Sequence, residues 1–190
     1  MGVELTYSLS FQRHLDNKFS SSKIAISSTW SKYISNPKIS RENKMKIFDS
    51  ASKSIMLYGA QIWGFERFNN VEKLFRFFIK KILYLPSNYP NYISHLETNY
   101  GTLFSCTVKL HPTYICRVLS LSRDRFPRIL AEKIIESNLF WAKEWQNLCS
   151  IIKFSPLDNF TPLCQYWKDI VELVNLHDMM NFKSDAIRSQ

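Results

Sequence analysis

Residues 69–86 read NNVEKLFRFFIKKILYLP, and their apolar side chains recur on the 3.6-residue period of a helix. Val71, Leu74, Phe75, Phe78, Ile79, Ile82 and Leu83 make one continuous stripe, while Lys73, Arg76, Lys80 and Lys81 fall on the other face. A segment divided in this way is stable in water when the stripe packs against other elements and the cations stay outside. Asn69 or Asn70 is the expected cap, Glu72 stands where the helix dipole favours an acid, and Pro86 lies just past the end.

Much of the remaining chain follows the same period. Phe11, Leu15, Phe19, Ile26, Trp30 and Tyr33 predict a helix ending before Pro37, and Ser40 is placed to cap a second one carrying Met45, Phe48, Ser52, Ile55 and Tyr58 or Gly59 on one face. Beyond residue 101 the pattern predicts a helix over 103–123 that Pro112 splits or kinks, another over 127–152, and a last one over 162–176, with the tail FKSDAIRSQ fraying. Val3 to Leu9 alternates apolar with polar residues, the period of a short strand. Residues 84–101, rich in Pro, Asn and Tyr, read as a connector. Four glycines and seven prolines are few for an all-β chain of 190 residues, which needs many tight turns. The expected architecture is mainly α: a helical bundle over 1–86 with a short N-terminal strand, a connector at 87–101, and a second small helical subdomain over 102–190.

The net charge of +9 points to phosphate-rich or anionic partners. Residues 1–86 hold 14 Lys and Arg against 6 Asp and Glu, and residues 87–190 hold 11 against 10, so nearly all the excess lies in the first half. Cys106, Cys116, Cys149 and Cys164 are expected to be reduced thiols, since a chain with a sizeable core needs no staples and no secretory leader precedes them. No apolar run is long enough for a membrane span, and an intracellular protein is expected. Gly2 with Thr6 fits the myristoylation template and Asn159-Phe160-Thr161 is a glycosylation sequon by letter; both patterns are short enough to recur by accident.

Candidate chemistry is sparse. Cys106, His111 and Cys116 have metal-ligating side chains, but steps of five residues advance about 500° around a helix, so the three diverge. Glu132 and Glu136 share a helix face among polar neighbours and read as solvated. His14, His95, His111 and His177 sit in no local motif, and no phosphate-cradling glycine loop or nucleophile elbow occurs. No catalytic residue, metal site or cofactor is expected. The cationic face of Lys73, Arg76, Lys80 and Lys81 is the candidate site, suited to contacting successive phosphates.

The uncharged stretch SIMLYGAQIWGF (54–65) holds two of the four glycines. Together with its neighbours it carries a resemblance. The order GVELTYSLSFQRHL, LYGAQIWG, KLFRFFIKKILYLP, HLETNYG resembles the region that follows the catalytic palm in reverse transcriptases of LINE-type (non-LTR) retrotransposons. Gly2 and Val3 match that family's Gly-Val element, and Leu9, Phe11, His14 and Leu15 match the segment after it. Leu57, Tyr58, Gly59, Trp63 and Gly64 match its Tyr-Gly/Trp-Gly motif. Leu74, Ile79, Ile82, Leu83, Leu85 and Pro86 match the next helix and its end, and Glu97 the glutamate of a later Glu-Leu-Gly motif. The likeness covers residues 2–101. Thr6 stands near a usual aspartate, Thr98-Asn99-Tyr100 precedes Gly101, and Met1 replaces a leucine, which suggests a truncated copy.

The resemblance implies a primer-grip edge followed by thumb helices that hold a template-primer duplex of RNA or DNA. It also implies that the missing palm domain is a partner and that Mg2+ belongs to that palm alone. Polymerisation uses carboxylates that bind two metal ions, which in the family come from an Asp-Asp motif. No two acidic residues are adjacent in this chain, so it is expected not to polymerise by itself. The alternative is a helical protein-interaction module, or a remnant with no nucleic-acid role, whose apolar faces pair with a partner. A helix-turn-helix DNA reader needs Arg, Asn or Gln at its helix start, where only Asn69 and Asn70 stand.

Overall fold

A computed structural model describes residues 2–7, 10–154 and 166–189. The fold is mainly helical, with no strand among the described residues. Two compact units share the chain: residues 1–59, 68–103 and 185–190 form the first, and residues 60–67 and 104–184 the second.

The first unit begins with α1 (Gln12–Thr29), which runs into a π-helical segment, Trp30–Ile34. α2 (Arg41–Ile47) continues through a second π-helical segment, Phe48–Lys53, into the short α3 (Ser54–Met56). The cap expected at Ser40 is present: its backbone is extended and its hydroxyl accepts from the Asn43 amide at 3.3 Å. α4 is Ala60–Trp63, in the second unit, and α5 is Asn69–Ile82, back in the first. α1 packs against α5, α3 and the second π-helical segment. Along α5 the predicted stripe is buried from Val71 to Ile82, and Phe78 stacks on Phe48 with centroids 4.3 Å apart.

Several local expectations differ from this structure. Phe68, without a side-chain bond, precedes α5; Asn69 Oδ1 instead accepts from Arg76 at 2.9 Å, and Asn70 donates to Asp16. Hydrogen bonds to charged groups outcompete a neutral cap. The N-terminal strand is not formed over residues 3–7. With no partner strand to complete a ladder, its polar groups close local bonds, the Ser10 amide donating to Thr6 Oγ1 at 3.1 Å. Leu9 lies outside the described residues. The expected connector holds α6 (Asn91–Thr98), which packs on α5 within the first unit.

In the second unit, α4 packs against α7 (Phe104–Leu119). α8 (Phe126–Glu136), α9 (Trp141–Ile151) and α10 (Trp167–Arg188) follow, the last four residues of α10 belonging to the first unit. Trp63, Val108, Trp145, Ile170 and Val174 are nearly fully buried. Pro112 does not split α7, which is one helix from Phe104 to Leu119. The tail does not fray either, because α10 reaches Arg188. The start expected near Pro162, like the 159–161 sequon and Cys164, lies outside the described residues. Cys106 and Cys149 are free thiols, whereas Cys116 is disulfide-bonded, which overturns the expectation of four reduced cysteines. No described helix is long and apolar enough to cross a membrane.

Candidate nucleic-acid interface

α5 presents Lys73, Arg76, Lys80 and Lys81 along one side because positions three and four apart share a helix face. All four line a single groove of about 500 Å³, together with Phe77, Leu85, Ser87 and Asn91. Lys73 to Lys80 spans seven residues, about 10 Å of helix axis, the rise of roughly three nucleotides.

Three of the four cations are held by the first unit itself. Arg76 Nη2 donates to Asn69 Oδ1 at 2.9 Å, and Lys80 Nζ donates to the Ser87 carbonyl at 2.8 Å, which fastens the chain after α5 to the helix. Lys81 Nζ lies 4.1 Å from the centroid of the Trp30 ring, a cation–π contact. Lys73 is exposed and makes no hydrogen bond or ion pair with any described residue.

None of the four is within ion-pair distance of a carboxylate among the described residues. Burial lowers the pKa of Arg76, an effect that the charge of Glu72 opposes. Burial lowers that of Lys80, and the positive charge of Arg76 adds to the shift. Glu72 faces inward, 5% exposed, and accepts the Leu103 amide at 3.3 Å. The groove is therefore a cationic strip with no acid among the described residues that line it, and a phosphate entering it relieves the mutual repulsion.

The motif residues lie in several places. Gly2 is exposed and Val3 half-buried. His14 is buried; its Nδ1 accepts the Glu4 amide at 3.4 Å, and its Nε2 is 3.2 Å from the Tyr58 carbonyl, so the ring ties the N-terminal segment to the end of α3. Tyr58 is partly exposed with Lys18 Nζ 4.4 Å from its ring centroid. Gly59 adopts φ 76°, a conformation in which a Cβ is strained. The compact units divide after it, so Tyr58-Gly59 closes one and Trp63-Gly64 belongs to the other. Trp63 is fully buried, and a Cβ on Gly64 would stand 2.7 Å from the Thr107 carbonyl and nearer still to that of Ala60. Pro86 is exposed between two groove residues, and its carbonyl accepts the Tyr89 amide at 3.1 Å.

The structure thus gathers the four predicted cations and leaves the glycine and tryptophan motifs as packing features. Phe77, Ser87 and Asn91 are not singled out in the sequence, and Leu85 only through the resemblance. Phe77 is the one with a signal, since it shares the cationic side of α5, where Lys23 Nζ and Lys81 Nζ lie 5.1 and 5.7 Å from its centroid. Among the described residues no group of three or more His, Cys, Asp and Glu is arranged to hold a metal ion. Comparisons with models of protein families, with curated proteins and with solved structures find no match to this chain.

Proposed function

We propose that the groove along α5 binds nucleic-acid backbone, and that the chain is a thumb-like helical piece of a LINE-type reverse transcriptase, contacting a template-primer duplex without polymerising on its own. The observation that carries the proposal is the convergence of Lys73, Arg76, Lys80 and Lys81 on one groove with no carboxylate within ion-pair distance among the described residues. Such a surface gains free energy by releasing counterions from phosphates. The family assignment rests on the order of the sequence motifs. The absence of catalysis rests on the absence of adjacent acidic residues in the chain.

Titrating an RNA–DNA hybrid with the chain between 50 and 200 mM salt tests the contact. Four phosphate contacts predict a loss of affinity of about 10²-fold over that range. The variant with all four cations changed to Gln should bind weakly and almost independently of salt. Affinity that ignores salt, or survives the fourfold change, sinks the contact. Nucleotide incorporation with Mg2+ on a primed template sinks the non-catalytic assignment.

α8 favours a second reading, a protein-interaction module. Ala131 is its one buried residue, while Phe126 and Leu130 are 73% and 49% exposed. Sedimentation at rising concentration tests self-association, and a monomer throughout counts against pairing between copies.

A further inference from the structure

The second unit holds a cavity of about 410 Å³ on which the nucleic-acid reading does not draw. α9 and α10 supply two walls, with Leu148, Ile152, Val174 and Phe182; Phe104 from α7 and Phe65, beyond α4, complete the apolar lining. The volume lies within the range of pockets that enclose small organic molecules.

Apart from Asn147, its polar groups fall into two sets. Arg67 Nη2 grips both carboxylate oxygens of Asp178, at 2.8 and 3.1 Å, and the guanidinium lies 4.4 Å from the Phe104 ring centroid. Asp178 is 4% exposed and its charge is neutralised there. Asn181 donates to His177 Nδ1 at 3.3 Å, so this set is internally satisfied. Glu66 and Glu144 are the second set. Neither makes an ion pair with a described residue, although the chain carries a net +9. Burial and the charge of Glu144 raise the pKa of Glu66, as expected of carboxylates that repel each other across the rim of an apolar space.

We infer that this cavity binds an organic cation, its apolar or aromatic body seated between α9 and α10 and its ammonium group held by Glu66 and Glu144. An anion is disfavoured because Asp178 already neutralises the one arginine present. A bare divalent metal is disfavoured because most of the remaining lining is apolar and, among the described residues, no three His, Cys, Asp or Glu are grouped to supply the ligands that a hard cation needs. An ammonium on an apolar body satisfies both halves of the site: it removes the repulsion at the rim and takes the lining out of water.

Three indole probes of one body and different charge test the inference on the full chain by calorimetric titration: tryptamine, its neutral alcohol analogue tryptophol, and indole-3-acetate. Tryptamine should bind saturably, tryptophol roughly tenfold more weakly, as expected for the loss of one partly buried charge contact, and indole-3-acetate not at all. Glu66→Gln with Glu144→Gln should leave tryptamine no tighter than tryptophol. Ile151→Trp, at an exposed lining position, should block all three with both carboxylates in place. Equal binding of the three probes, no saturable binding of tryptamine at millimolar concentration, or unchanged preference in the double Gln variant overturns the inference. Circular dichroism matching the parent chain shows that each variant is folded.

Discussion

The groove of the first unit and the cavity of the second are opposite in sign and in construction. All four of the groove's cations come from one helix, 14 residues long, and its flank from the few residues that follow. The cavity takes side chains from residues 65–67, 104, 144–152 and 174–182, brought together only by folding. A helix that carries both a buried stripe and a charged face fixes its own site once the stripe is buried. A site assembled from four segments depends on every contact between them. The groove should therefore tolerate perturbation that the cavity does not.

Acid should expose this difference most strongly. His111 is buried in the second unit, donating from Nδ1 to the Gln61 carbonyl at 3.0 Å, with rings of Phe65, Trp141 and Trp145 around it and no partner at Nε2 among the described residues. Burial pushes its pKa down to about 4 from 6.5, although the Gln61 bond opposes the shift. Between those values the unfolded chain binds a proton that the folded one does not. Stability is fully present above pH 6.5 and falls as pH drops toward 4, by about 3 kcal/mol in all. Denaturant titrations followed by Trp fluorescence should show this loss, and His111→Gln should flatten it over the same window. An unchanged slope in the variant removes His111 as the cause. Duplex affinity, carried by Lys and Arg, should rise or hold steady over this range as long as the first unit stays folded.

A smaller effect is expected at Gly64. Its α-carbon packs so closely on the backbone of α7 that a methyl group has nowhere to go, the obstructing atoms being carbonyl oxygens of Ala60 and Thr107. Gly64→Ala should destabilise the second unit by about 2 kcal/mol, the cost typical of overpacking against backbone that cannot rotate away. Thermal melts measure it, and the duplex-binding salt slope serves as the control. Loss of duplex binding in parallel with the melt would mean that the two units do not fail separately.

The same contrast explains what could be read from the chain. The stripe and cations of α5 were legible because one segment carried both, and the Ser40 cap because its bond spans three residues. α6 was missed because its punctuation resembled that of a loop. Pro90 and Asn99 bracket eight residues, and Asn99 ends the helix in a left-handed conformation at φ 53°. The strand was read from an alternation that is necessary for a sheet but does not supply a partner. Asn69 and Asn70 carry the side chains of good caps, but Arg76 and Asp16 offered stronger bonds that no local pattern reveals. Nothing in the sequence pairs Glu66 with Glu144, 78 positions apart, or Arg67 with Asp178.

Lys73 offers the finest test, because it separates binding from structure within the groove. Arg76, Lys80 and Lys81 each bond to the first unit, so replacing any of them disturbs the helix or the turn after it as well as the field. Lys73 has no such bond, and its exposed ammonium contributes only charge. Lys73→Gln should leave the melting temperature unchanged, weaken hybrid binding about threefold at moderate salt, and reduce the slope of log affinity against log salt by about 0.9. Glu66→Gln, which also removes one exposed charge but in the second unit, should leave that slope where it was. If the two substitutions change the slope by the same amount in opposite senses, binding follows the total charge of the chain and the groove has no special part in it. A change confined to Lys73 places the phosphates against α5.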